Sequence, residues 1–127
     1  MKYLLDTHVV IWFFNNSPDL PLKIKEIIKF PENQIYISSV SLWEIAIKAS
    51  LGKLNMNIEF NGLLEDIIKR DFEIFPIKNE HLKYLFILPY LHKDPFDRLL
   101  ISTVITEKLT LITSDENICK YDVSWIW

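Results

Sequence analysis

The chain has 127 residues, half of them hydrophobic, with 17 acidic against 14 basic side chains and a net charge of −3. That length fits one domain with a real core, and two glycines with no low-complexity stretch exclude a linker or disordered tail. The negative balance excludes a general electrostatic attraction to nucleic acid, so any such binding must come from local basic residues or a metal.

Residues 2–6 read as a short buried strand that stops at Asp6. Asp6 and His8 interrupt the apolar run, and no small-residue cleavage site follows, so no signal peptide is expected at the start. A very apolar helix is expected over 8–16 and a second over 22–30, where Ile24, Ile27 and Ile28 fall at helical spacing. Ile35–Ser38 reads as a strand, and a helix over about 41–51 stops at Gly52, a plausible C-terminal cap. A helix over 60–71 puts Leu63, Leu64, Ile67 and Ile68 on one face, and Glu73–Ile77 reads as a strand placed at an edge by Pro76. Helices over 79–88 and 95–108 follow, then a strand at 110–113, a helical turn at 116–119 and a last strand at 123–126. The lone Cys119 cannot form an internal disulfide and fits a reducing compartment. No apolar run approaches the ~20 residues of a spanning helix, so a cytoplasmic protein with no membrane partner is expected. Strands alternating with helices imply an α/β fold with a mostly parallel sheet covered on both faces.

Four carboxylates lie at the ends of these elements: Asp6, Glu44, Asp97 and Asp115. In an α/β sheet such edges face one crevice, where these folds bind ligands. Acids gathered there repel unless a divalent cation holds them, which points to a metal site and to catalysis. Each has a local reading as well. Asp6 fits a helix cap as readily as a ligand, and Thr7 can cap or hydrogen-bond a carboxylate. Ser41–Glu44 fits a capping box, and Lys48 lies four residues beyond Glu44. Asp94 before Pro95 looks like an N-cap that could pair with Arg98, whereas Asp97 opens an apolar helix whose burial would aim it firmly. Asp115 fits cap and ligand evenly. His8 and His81 sit on helices and read as core or surface residues, while His92 lies in the loop before Asp94, within reach of a substrate. Trp12, Phe13 and Phe14 read equally as interface or as core.

In this order the motifs resemble those of a PIN-domain ribonuclease of the VapC type, the toxin of a toxin–antitoxin pair. The stretches concerned are Leu4–His8, Ser38–Lys48, Gly52–Leu54, Asp94–Ile101, Leu111–Asp115, Tyr121–Val123 and Trp127, which span the whole chain. A receiver domain is excluded, because the third strand ends Phe75-Pro76-Ile77-Lys78 and offers no acid there. The Gly-Asp and Gly-Asn-His segments of metallophosphoesterases are absent too.

The resemblance implies a single PIN domain over 1–127, a three-layer sandwich around a five-stranded sheet in order 3-2-1-4-5. It assigns Asp6, Glu44 and Asp97 as the main acids, Asp115 as a fourth, and Thr7 and Ser114 as supporting hydroxyls, and Asp94 is expected to support the site as well. Hard oxygen ligands suit Mg²⁺ or Mn²⁺, and the implied reaction is hydrolysis of RNA phosphodiester bonds. Lys48, Arg98 and His92 are candidate RNA contacts, with Lys53 and Lys93 also near the acids in sequence. A cognate antitoxin and a homodimer are implied as partners. A PIN-like binding module without strong catalysis, and a processing nuclease that is not a toxin, are the alternatives.

Overall fold

A computed structural model describes residues 1–127. The elements run β1 (Lys2–Leu5), α1 (Thr7–Phe14), α2 (Leu22–Lys29), β2 (Gln34–Ser38), α3 (Ser39–Ser50), α4 (Phe60–Lys69), β3 (Glu73–Phe75), α5 (Asn79–Ile87), α6 (Pro95–Glu107), β4 (Thr110–Ile112), α7 (Glu116–Cys119) and β5 (Trp125–Ile126). The five strands pair in the order β3-β2-β1-β4-β5, and every pairing is parallel. The expected order holds, and "mostly parallel" becomes wholly parallel.

Period-two alternation divides the core between the two faces of the sheet. Tyr3 and Leu5 of β1 join Ile35, Ile37 and Ile112 in a cluster with Val9, Val10 and Phe13 of α1, Ile24 and Ile28 of α2, and Leu63 and Ile67 of α4. Leu4, Tyr36 and Leu111 point the other way, to Leu99, Leu100, Ile101 and Val104 of α6. The result is three layers. At about 25 cal/mol per Å² of apolar area, these two interfaces supply the main drive to fold.

Boundaries shift by a residue or two where local chemistry intervenes. β3 stops at Phe75, because Pro76 has no N–H to continue the ladder. Helix α3 opens at Ser39, since the Ser38 hydroxyl already accepts the Val40 N–H at 3.0 Å. The Ser41–Glu44 capping box therefore does not form. At the other end Gly52 takes φ +68° just past the Leu51 cap, as a helix stop of this kind requires. No helix is long and apolar enough to cross a membrane.

The aromatic end of α1 is covered within the chain. Phe13 is buried, Phe14 and Phe13 both stack against Phe72, Trp12 meets Trp127, and the Arg70 guanidinium lies 5.2 Å from the Phe13 ring centre. Phe13 is thus a core residue, whereas Trp12 and Phe14 are half-buried.

Candidate active site

The chain leaves β1 for strands on one side of the sheet and returns to β4 on the other, so the crevice opens between the carboxyl ends of β1 and β4. Register pairs Leu5 with Ile112, and the Asp6 N–H donates to the Ile112 carbonyl at 3.1 Å. Asp6 and Thr113 thus leave the sheet side by side, 107 residues apart in sequence. The Thr113 hydroxyl donates to Asp6 Oδ2 at 2.8 Å and accepts the Asp115 N–H at 3.0 Å. One threonine orients two of the four acids.

Asp6 occupies the N-cap position of α1 without capping it. Its carboxylate is 2% exposed, and Oδ1 has no hydrogen-bond partner. Glu44 lies in the second turn of α3, 3% exposed, with Oε2 2.6 Å from Lys48 Nζ and Oε1 likewise unpartnered. A buried, unpartnered carboxylate oxygen costs several kcal/mol unless something positive completes it. The two helices that carry these acids are tied at the crevice by Thr7, whose hydroxyl donates to Ser41 Oγ at 2.9 Å, both groups being buried. Thr7 follows Asp6 and Ser41 precedes Glu44 by one helical turn, so this bond fixes the separation of the two acids.

Asp97 enters from α6. Asp94 caps that helix, its Oδ1 accepting the Asp97 N–H at 3.0 Å, and Pro95 takes the first helical position. Asp97 is 9% exposed, and His92 Nε2 lies 2.8 Å from its Oδ2. Ligand-capable atoms of His92, Asp94 and Asp97 lie within 4.8 Å of one another. The second turn of α3 and the first turn of α6 meet where Trp43 packs edge-on against Phe96, ring centres 5.0 Å apart. Asp115 caps α7, accepting the Asn117 N–H at 2.9 Å, and is half-buried.

The electrostatics report the same convergence. Burial pushes the Asp97 carboxyl up to about 7; its bond to His92 opposes this, and Asp6, Asp94 and Asp115 push it higher. Burial also raises the Asp6 carboxyl, with the Thr113 hydroxyl and His8 opposing and Asp115 adding to the rise. The Lys48 ammonium is held above its ordinary value, chiefly by its hydrogen bond to Glu44, with Asp94 and Asp97 contributing. Groups that perturb one another in this way share one crevice.

The fold therefore brings Asp6, Glu44, Asp94, Asp97 and Asp115 together with Lys48 and His92. Two candidates lie elsewhere in their contacts. Ser114 is exposed, and the hydroxyl that serves the acids belongs to Thr113 beside it. Arg98 does not pair with Asp94: it donates to the Leu88 carbonyl at 3.1 Å, with its guanidinium 5.0 Å from the centre of the Tyr90 ring. Lys53 and Lys93 are exposed, as is His8. His81 is buried and ties α5 to α6, with Nε2 2.6 Å from Glu107 and Nδ1 accepting the Lys78 N–H. Thr113 was missed because a threonine closing a strand reads as β propensity; its place between the apolar pair Leu111-Ile112 and Asp115 was the available signal.

A doubly wound parallel sheet with an acidic crevice at its switch point defines a class of small α/β proteins with a carboxylate-lined cleft. Within that class the chain belongs to the PIN domain family, whose model matches residues 3–124. No curated protein matches the chain by sequence. Among solved structures, it resembles VapBC2 from Rickettsia felis bound to a promoter DNA fragment, with TM-score 0.76 and 23% identity over 99% of this chain and 98% of that one. DNA-bound VapBC from Salmonella typhimurium gives TM-score 0.74 and 17% identity over 99% and 97%. VapBC-5 from Mycobacterium tuberculosis, described as a member of the VapBC family of toxin–antitoxin systems, gives 0.62 and 18% over 98% and 95%.

Proposed function

We propose that this protein is a divalent-metal-dependent endoribonuclease acting as the toxin of a toxin–antitoxin pair. The observation that carries the metal is the pair of buried carboxylate oxygens without partners, Asp6 Oδ1 and Glu44 Oε1. A site of all-oxygen acids with one imidazole at its edge fits Mg²⁺ or Mn²⁺. Asp6 and Asp97 would hold the ion, with Glu44 completing the site or orienting the attacking water and Asp115 assisting. When bound, the cation lowers the pKa of a coordinated water and offsets charge developing on the phosphate.

The chain's own residues account for the rest. Thr113 holds the Asp6 carboxylate, Lys48 holds that of Glu44, and the Thr7–Ser41 bond ties the two helices that carry them, all before any ligand arrives. Lys48 is paired with Glu44 but keeps a partly exposed ammonium, so it can meet a backbone phosphate as that phosphate approaches the acids. His92 and Lys93 stand on the loop at the mouth of the crevice. Without the cation the acid cluster repels RNA, so chelation should abolish both binding and cleavage.

The toxin role is supported by similarity to structures of VapBC assemblies, and it implies an antitoxin that covers the crevice. For the implied homodimer, α5 offers the exposed apolar side chains Leu82 and Phe86. The test is purified, antitoxin-free protein incubated with total cellular RNA and Mn²⁺ beside Asp6→Asn. Discrete cuts by the wild type alone support the reading. No cuts from folded, metal-bound protein, or equal cuts by both, refute it.

A further inference from the structure

The segment between α5 and α6 carries His92 to Asp97, and it has no regular secondary structure of its own. What fixes it comes from a distant part of the chain. The hydroxyl oxygen of Tyr121, on the turn after α7, accepts two consecutive backbone N–H groups, from Leu91 at 2.9 Å and from His92 at 3.1 Å. Its ring is buried in the core beside α6 with Ile118, so the oxygen is a fixed point. Two anchored amides in succession set the backbone at His92 and with it the direction in which the imidazole leaves. That imidazole ends 2.8 Å from Asp97 Oδ2. Arg98 fastens the start of the same segment through the Leu88 carbonyl and the Tyr90 ring.

We infer that Tyr121 is a positioning residue of the metal site: its hydroxyl seats the Leu91–His92 backbone so that His92 keeps the Asp97 carboxylate oriented toward the ion. The inference rests on reading Asp97 as a metal ligand. A partner that orients a ligating carboxylate matters to metal affinity nearly as much as the ligand, and its loss typically weakens binding by about ten- to a hundredfold. Tyr121→Phe removes one oxygen while leaving the ring in the core. It leaves the His92 N–H without its acceptor and the Leu91 N–H with only the Pro89 carbonyl at 3.1 Å, and it frees the segment to turn toward solvent.

The experiment is Mn²⁺ binding by titration calorimetry, on wild type, Tyr121→Phe, His92→Ala, the double variant and Asp97→Asn, each checked for fold by circular dichroism. His92→Ala should weaken Mn²⁺ by roughly tenfold and Tyr121→Phe by about three- to tenfold. The double variant should bind no more weakly than His92→Ala alone, because Tyr121 acts through His92. A residue that only supports the fold would give additive losses. His92→Gln, whose amide can still donate to Asp97, should recover part of the affinity and keep its dependence on Tyr121. Wild-type affinity in Tyr121→Phe, or additive losses in the double variant, overturns the inference. Loss of Mn²⁺ binding in every form including wild type, or full binding by Asp97→Asn, instead overturns the metal-site reading and the inference with it.

Discussion

Replacing Asp97 with Asn should stabilise the metal-free protein, and the size of the gain follows from the site. The Asp97 carboxyl is pushed from an ordinary 3.8 up to about 7, first by burial and then by Asp6, Asp94 and Asp115. Between those pH values the folded protein binds more protons than the unfolded chain, so stability falls as pH rises from about 4 to about 7 and stays low above. At about 1.36 kcal/mol per pH unit the interval sets a ceiling of about 4 kcal/mol. Partial exposure and screening at the mouth of the crevice reduce this to about 1–2 kcal/mol. Asn keeps an acceptor for His92 and carries no charge, so it removes the penalty. For a chain of this size, about 1–2 kcal/mol corresponds to a Tm rise of roughly 4–8 °C. The assay is thermal unfolding in chelator at pH 8.0 and pH 5.5, repeated at pH 8.0 with Mn²⁺. Wild type should melt lower at pH 8.0 than at pH 5.5, and the variant should show a smaller difference. Mn²⁺ should raise the wild type and leave Asp97→Asn little changed. A variant that melts at or below wild type at pH 8.0 in chelator, with the same pH dependence, would refute the argument from repulsion and burial.

Thr113→Val removes the donor to Asp6 and the acceptor for the Asp115 N–H at once. It should cost about 1–3 kcal/mol in denaturant unfolding and weaken Mn²⁺, whereas Ser114→Ala should do neither; equal effects would relocate the supporting hydroxyl. Lys48→Met leaves the Glu44 carboxylate buried without its cation, so the metal-free Tm should fall and Mn²⁺ should restore it. A Tm unchanged in both conditions would mean that the pair contributes nothing to holding Glu44. Phe86 is 90% exposed on α5, and Phe86→Glu should yield monomers in light scattering if that helix joins two copies; an unchanged dimer mass would place the interface elsewhere.

Where sequence and structure part company, the cause is contact across the chain. Asp94 could be read as an N-cap from Pro95 alone, and Gly52 as a helix stop from its position, because both depend on backbone groups within a few residues. Glu44 misled in the same range. Its spacing from Ser41 matches a capping box, but Ser38 caps first, and Ser41 turns to meet Thr7 from another helix. Arg98 stood four residues from Asp94, yet it satisfies the carbonyl of Leu88 and the face of Tyr90 instead.

By itself the sequence determined the alternation of strands and helices, the two-sided burial of the sheet and the places of the acids at element ends. Those follow from period and from local backbone chemistry, which short stretches of chain carry complete. The tertiary structure alone decided which hydroxyl serves Asp6, that His92 faces Asp97, and that Tyr121 holds His92 there. Each of these depends on the β1–β4 register or on the docking of a loop against the turn after α7, and neither is encoded within any one segment.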